Sequence, residues 1–350
     1  MSEFGSSGTY TRINSDADTI VLALTPNAVP EPPAIVPIPG KAEWERRMLE
    51  LGRKFGRPEY ARNINEQYTW YYDGSWVFRQ IMEYTHQNFE GERAQCESVY
   101  YPYALGQPTG YRVFPHGFEM GYSAGGRHSD RYKVFYGPVL LNLANRSAYG
   151  VHSAAVIAEW LKGAHRSREA AYLLQALLAC KRCDLGREVN DYDARVNTLI
   201  DLIIGHFDQW FDGKTSTWMQ PFMVGLSAHA LIEYATEYPG WDGAALILSD
   251  AATWLRDNAW NEERGAFYLS NDRPYEPWAD RDGLRWAQDL NMLVAPIYAW
   301  LWKETGDAQW RDFGDKVFES GTRCEINNGK QFSQNYRLSF LYVKWREERS

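Results

Sequence analysis

Between Tyr111 and Tyr122 the chain reads Tyr-Arg-Val-Phe-Pro-His-Gly-Phe-Glu-Met-Gly-Tyr, which places an imidazole, a guanidinium, a carboxylate and two phenols in one short stretch. Pro115 suits the first turn of a helix, where its missing N–H is not needed, so His116 and Glu119, three apart, share one face near a helix start. A base beside a carboxylate, with Arg112 just upstream, is the material of general acid–base chemistry. The alternative is packing, because aromatic stripes at helical spacing usually fill cores. The same mixture recurs in five other stretches: Tyr68, Tyr71, Tyr72 and Asp73; Tyr149 and His152; Trp218 and Gln220; Gln288, Asp289 and Asn291; and Gln334, Asn335, Tyr336 and Arg337. Asp73, Asp289 and Asn291 are also good helix caps. Tyr149 and His152 share a face if that segment is helical, giving either an acid–base couple or a packed pair.

These residues need a frame, and apolar periodicity supplies helices joined by short polar breaks. The spacing predicts helices near 71–86, 90–104, 115–125, 128–147, 149–163, 167–183, 189–211, 218–238, 242–260, 287–305, 307–321 and 331–347, after an opening one from Lys41 that stops at Gly56 and Pro58. Period-2 runs are nearly missing, with Ala266 to Ser270 the best short strand, so the fold class is all-α. Residues 1–42 read as an extended arm, since Pro26, Pro30, Pro32, Pro33, Pro37 and Pro39 exclude a helix or a central strand. Residues 43–350 form the catalytic domain. The break from Asn261 to Trp286 exceeds ordinary loop lengths and carries Arg273, Tyr275, Trp278, Arg281 and Arg285, the composition of a substrate-covering flap.

Composition narrows the classes. Aromatics reach 15%, with 15 Trp and 23 Tyr, enough to supply stacking platforms for sugar rings beyond what helix packing consumes. A net charge of −8 without any long basic run excludes a nucleic-acid footprint. No apolar run reaches the roughly 18 residues of a membrane span. Cys180-Lys-Arg-Cys183 has metal or redox spacing but no second pair, and sits in a helical pattern, so it reads as structural. His86, His165, His206 and His229 read as helix-end or core residues. No cofactor or metal is expected. The polar opening, Met-Ser-Glu-Phe-Gly-Ser-Ser-Gly, has no leader pattern, so export requires a leader removed from it and the cytoplasm is the alternative.

A weak internal repeat links Trp76 to Thr85 (WVFRQIMEYT), Val224 to Thr236 (VGLSAHALIEYAT) and Pro296 to Thr305 (PIYAWLWKET). Repeated hairpins bury their faces only against neighbours, and at roughly 50 residues each six of them fill residues 43–348. With Trp70-Tyr71-Tyr72-Asp73-Gly74, with Phe222-Met223-Val224-Gly225-Leu226 and its trailing Glu233-Tyr234, and with Thr305-Gly306-Asp307 before Trp310, the chain resembles the six-hairpin (α/α)6 toroid superfamily of carbohydrate-active enzymes. Unsaturated glucuronyl hydrolases and related glycosidases carry an Asp in a helix-start motif similar to Trp218-Met219-Gln220, where this chain has Gln220.

The resemblance implies a polysaccharide or oligosaccharide substrate and inner helices whose N-termini gather at one mouth. Such termini favour an anionic group. A lyase acting by β-elimination on a uronate polysaccharide is the first reading, with Arg112, Gln334, Asn335 and Arg337 neutralising the carboxylate, His116 or His152 as base, and Tyr149, Tyr72 or Tyr336 as acid. An inverting hydrolase using Asp73 with Glu119 or Asp289 is the second. A non-catalytic glycan-binding or particle-associated module is the third.

Overall fold

The structure is a computed structural model, and it describes residues 10–12, 22–24, 36–61, 67–108, 110–124, 130–147, 150–216, 218–271 and 285–348. The prolines from 26 to 33, Tyr149, and residues 272–284 of the expected flap, Trp278 included, lie outside them. Contacts separate residues 1–37 from a second unit, residues 38–349. In the first, Tyr10–Arg12 pairs antiparallel with Leu22–Leu24.

The second unit is predominantly helical. In chain order its helices are α1 Lys41–Phe55, α2 Pro58–Ala61, α3 Gly74–Thr85, α4 Glu90–Leu105, α5 His116–Ala124, α6 Asp130–Asn145, α7 Ala154–Trp160, α8 Ser167–Arg182, α9 Tyr192–Phe211, α10 Pro221–Glu237, α11 Ala244–Asn258, α12 Asn291–Thr305, α13 Ala308–Arg323 and α14 Gly329–Glu347. Their starts follow local chemistry. Side chains of Asp73, Ser153, Asp307 and Asn328 each accept a first-turn backbone N–H, and Pro221 opens α10. Gly306, left-handed at φ 71°, ends α12.

Six helices are linked by neighbour contacts: α3 with α5, α5 with α8, α8 with α10, α10 with α12, α12 with α14, and α14 with α3. The other long helices lean on these, α4 on α3, α6 on α5 and α8, α9 on α8, α11 on α12, α13 on α12, and α1 on α14. Burial follows that division. Every residue of α10 from Pro221 to Ile232, and of α12 from Asn291 to Leu301, is buried, as befits helices with protein on all sides. By contrast α1 buries one stripe, Trp44, Met48, Leu51 and Phe55. No described helix is long and apolar enough to cross a membrane.

Two expectations change. The helix expected from residue 149 begins only at Ala154, because Arg146–Ser147 and Gly150–Val151 form an antiparallel pair and Ser153 caps the turn that follows. His152 therefore has no helical face to share with Tyr149. Pro296, which within its apolar pattern reads as a kink or a late helix start, lies inside α12, whose start is five residues earlier at Asn291. The short strand signal survives in part: Ala266–Phe267 pairs with Trp260–Asn261, and Tyr268 bridges to Trp286, which brings the two ends of the long break together.

Helices α10 and α12 meet at a glycine. A Cβ on Gly225 would lie 2.1 Å from the Leu293 carbonyl oxygen, a backbone atom that cannot rotate away. Gly225→Ala should therefore force the helices apart and cost about 1–3 kcal/mol or more, read as a lower urea midpoint. An unchanged midpoint would mean that the crossing yields freely.

Candidate acid–base site

Residues at the start of α3 and on α5, α8, α10 and α14 form a polar cluster that begins at the Tyr72–Asp73 turn. Both residues are left-handed, each at φ 63°, a conformation that costs non-glycine residues of order 1–3 kcal/mol. That turn aims the buried Asp73 carboxylate at two helix starts: Oδ1 accepts from the Trp76 N–H at 3.2 Å and Oδ2 from the Gly117 N–H at 3.1 Å. Gly117 is required, since a Cβ there would sit 2.7 Å from Asp73 Oδ1. His116, the first residue of α5, is thereby held with its Nδ1 3.9 Å from Asp73 Oδ2.

Glu233, on α10, is the hub. Its Oε1 lies 2.8 Å from His116 Nε2, 3.2 Å from His229 Nε2 and 2.8 Å from Gln175 Nε2, while its Oε2 accepts from Arg182 at 3.1 Å. The proton positions follow from one contact. Arg337 has only donors, and its Nη2 points at Gln175 Oε1 at 3.2 Å. The amide NH2 of Gln175 must then face Glu233 and, at 2.7 Å, His229 Nδ1. His229 Nδ1 is therefore an acceptor and its Nε2–H donates to Glu233. His116 likewise donates through Nε2, and its buried Nδ1 makes no hydrogen bond.

The charges are arranged to match. Burial lifts the Glu233 carboxyl, but His116, His229 and Arg182 outweigh it and hold the group well below the ordinary carboxylate range. Burial, opposed by the Glu233 charge, pushes His229 down to about 3, so it is neutral at working pH. Asp73 moves the other way: burial raises it against the pull of His116 and Arg337. Two carboxyl groups flanking one imidazole thus have their acidities driven apart, the pattern that sorts acids from bases in hydrolytic and proton-transfer sites.

Arg337 is fully buried, yet its Nε and Nη1 have no hydrogen-bond partner. Its guanidinium lies among the rings of Tyr172 at 4.9 Å, Phe114 at 5.6 Å and Trp76 at 5.9 Å. A buried cation with unused donors is costly unless an anionic group completes it. The Tyr72 and Tyr172 hydroxyls nearby are raised by burial and stay protonated. Trp76 stacks on His116 at 4.2 Å and 16°. It also lines a cavity of about 650 Å³ with Gln80, Tyr84, Met120, Phe340 and Leu341, toward the C-terminal ends of α3 and α14. Arg182, at the end of α8, forks onto Glu119 and also reaches Glu233 and Glu237.

Of the residues singled out in the sequence, Asp73, His116 and Arg337 come together, with Tyr72 beside them and Glu119 tied in through Arg182. The others do not join this cluster by any hydrogen bond or ion pair described. Tyr336 donates to the Trp44 carbonyl at 3.2 Å, and Asn335 to the Gly321 carbonyl at 3.2 Å, because both face α1 and α13 rather than the interior. Gln334 donates to the Asp289 backbone carbonyl, and Asn291 to the Gly265 carbonyl. Arg112 stacks on Trp70, Tyr103 and Tyr111. Trp218 is half-buried, with its carbonyl accepting from Trp210, and Gln220 is the uncapped residue before α10. His152 is buried and lowered to about 4, first by burial and then by Arg195.

The sequence reading missed Glu233, His229, Gln175, Arg182 and Trp76. One signal was present: His229 and Glu233 are four apart and so share a helical face. No protein-family model, curated protein or solved structure matches the chain.

Proposed function

We propose that residues 38–349 form an (α/α)6 toroid whose interior is the acid–base site of a carbohydrate-active enzyme, best read as a lyase cleaving a uronate-containing polysaccharide by β-elimination. The toroid reading rests on the neighbour relations, which run through α3, α5, α8, α10, α12 and α14 and return to α3. The observation that carries the chemistry is His116, with Nε2–H engaged by Glu233 and Nδ1 unbonded, inside the same cluster as a buried Arg337 whose Nε and Nη1 make no hydrogen bond.

In this reading Arg337 takes the uronate carboxylate and withdraws charge, which makes the C5 proton acidic. His116 Nδ1 removes that proton, the C5–H electrons form the C4–C5 double bond, and the C4–O bond breaks. The leaving oxygen takes its proton from a phenol, for which Tyr72 is the candidate. The new imidazolium is stabilised by Asp73 and Glu233 on its two sides.

One observation favours a second reading, inverting hydrolysis. Asp73 is raised and Glu233 depressed, as a general acid and a general base require. Glu119 gives both oxygens to Arg182 where Glu233 gives it one, and Asp289 is engaged by Gln331 and Gln334. Incubation with a panel of uronate and neutral polysaccharides separates the readings. A lyase yields unsaturated products that absorb in the ultraviolet together with new reducing ends, a hydrolase yields reducing ends alone, and a glycan-binding module yields neither. The lyase reading expects both signals, and only from uronates.

A further inference from the structure

We infer that His116, His229 and Glu233 form a binding site for one imidazole-preferring divalent cation of the Zn2+ type. One nitrogen from each histidine and one carboxylate oxygen lie within 4.8 Å of one another. The two separations to Glu233 Oε1 are 2.8 and 3.2 Å. An ion about 2.0–2.2 Å from each such atom holds tetrahedral ligands roughly 3.3 Å apart, so small shifts admit it. Two imidazoles and a carboxylate are the donor set that Zn2+, Co2+ and Fe2+ share, and one that Mg2+ and Ca2+ do not seek.

Charge and surroundings support the same conclusion. Arg182 touches Glu119, Glu233 and Glu237, and Asp73 stands on the far side of His116. Three carboxyl groups thus share the single guanidinium of Arg182 beside the two imidazoles, and a dication adds positive charge there. Two of the ligands also have hydrogen-bonded outer partners of the kind that orient metal-bound groups, Gln175 at His229 Nδ1 and Arg182 at Glu233 Oε2, while the Asp73 carboxyl stands 3.9 Å from His116 Nδ1. Glu233 keeps 13% of its side chain accessible, which gives an ion a way in.

Binding has one structural requirement. With Nε2 on the ion, His229 must carry its proton on Nδ1, so Gln175 has to turn its amide oxygen toward the ring and Arg337 loses an acceptor. A carboxylate at position 175 serves both neighbours without that conflict. Gln175→Glu should therefore bind the ion more tightly than the wild type, a response that a purely structural glutamine does not give. The ion also takes the His116 Nε2 lone pair and fixes the ring's proton on Nδ1, which removes the base. It should inhibit, reversibly to chelator.

The test uses the full chain, stripped with chelator and titrated without substrate by Zn2+ calorimetry and Co2+ visible absorption, with Mg2+ as control. Expected are one Zn2+ per chain, the intense absorption of low-coordinate Co2+, and no heat from Mg2+. Affinity should fall about 10–100-fold in Asp73→Asn and at least as far in His229→Ala and Glu233→Gln, and should rise in Gln175→Glu. Thermal melts check that the variants fold, and the wild-type Co2+ spectrum decides the matter if they do not. A hexa-aqua Co2+ spectrum, or Zn2+ affinity unchanged across folded variants, overturns the inference. Because no substrate enters the titration, its failure is separate from any failure of the lyase reading.

Discussion

Exchanging His116 for glutamine should lower turnover of a susceptible uronate polysaccharide by about 10²–10⁴, the usual range for a lost general base, with KM changed little. Glutamine retains an N–H that can reach Glu233, so the hub keeps its donor while the lone pair at the Nδ1 position is lost. The melting temperature should move by only a few degrees, since the main packing loss is the 4.2 Å stack on Trp76. Tyr72→Phe tests the acid in the same assay. His152→Ala is the control, because that buried imidazole feels the charge of Arg195 and makes none of the described contacts to Glu233. If His116→Gln retains most of its activity while His152→Ala or Tyr149→Phe abolishes it, the base has been misplaced.

Much of the frame was legible because helix periodicity is a local property. The apolar patterns around 167–183, 189–211, 307–321 and 331–347 became α8, α9, α13 and α14 with ends shifted by a few residues. The failure at 149–163 is also local in cause: two short strands took the residues before Ser153, and nothing in a helical pattern announces a two-residue pairing.

The site was legible only where a residue's role is set by its own neighbours in sequence. Asp73 and His116 lie at helix starts, and helix starts can be read. Glu233, His229 and Gln175 are mid-helix residues whose meaning depends on which helices touch, and α8, α10 and α5 meet only in the folded chain. The expected gathering of polar groups at helix N-termini also drew attention to Asn335 and Tyr336. The rotation of about 100° between successive residues decides whether such a side chain sees the interior or a neighbouring helix, and these two see α13 and α1. Arg337, on the same helix, sees the interior, and only the packing of the folded chain separates the three.

Acid should unfold this protein early, with stability falling from about pH 6.5. Three histidines are buried neutral: His152 and His206 are each lowered to about 4 and His229 to about 3, burial being the leading cause in every case. His206 must keep its proton on Nε2 to donate to the Leu161 carbonyl at 2.7 Å, and the Nδ1 atoms of His152 and His206 are buried without partners, so a second proton has nowhere favourable to sit. Between the folded value and the unfolded value of about 6.5, the unfolded chain binds more protons than the native one, so stability rises with pH across that window and is complete above it. At about 1.36 kcal/mol per pH unit, each histidine withdraws roughly 3 kcal/mol by pH 4, and three together rival the 5–15 kcal/mol that holds a typical domain folded. Glu233, depressed when folded, works in the same direction below its ordinary range, whereas Asp73, raised when folded, opposes it. Urea midpoints taken between pH 7.5 and 4.5 should therefore drop steeply below 6.5, and His206→Gln or His152→Gln should each flatten that slope by about one proton. A midpoint that holds level down to pH 4.5 would show that these rings accept protons without opening the fold.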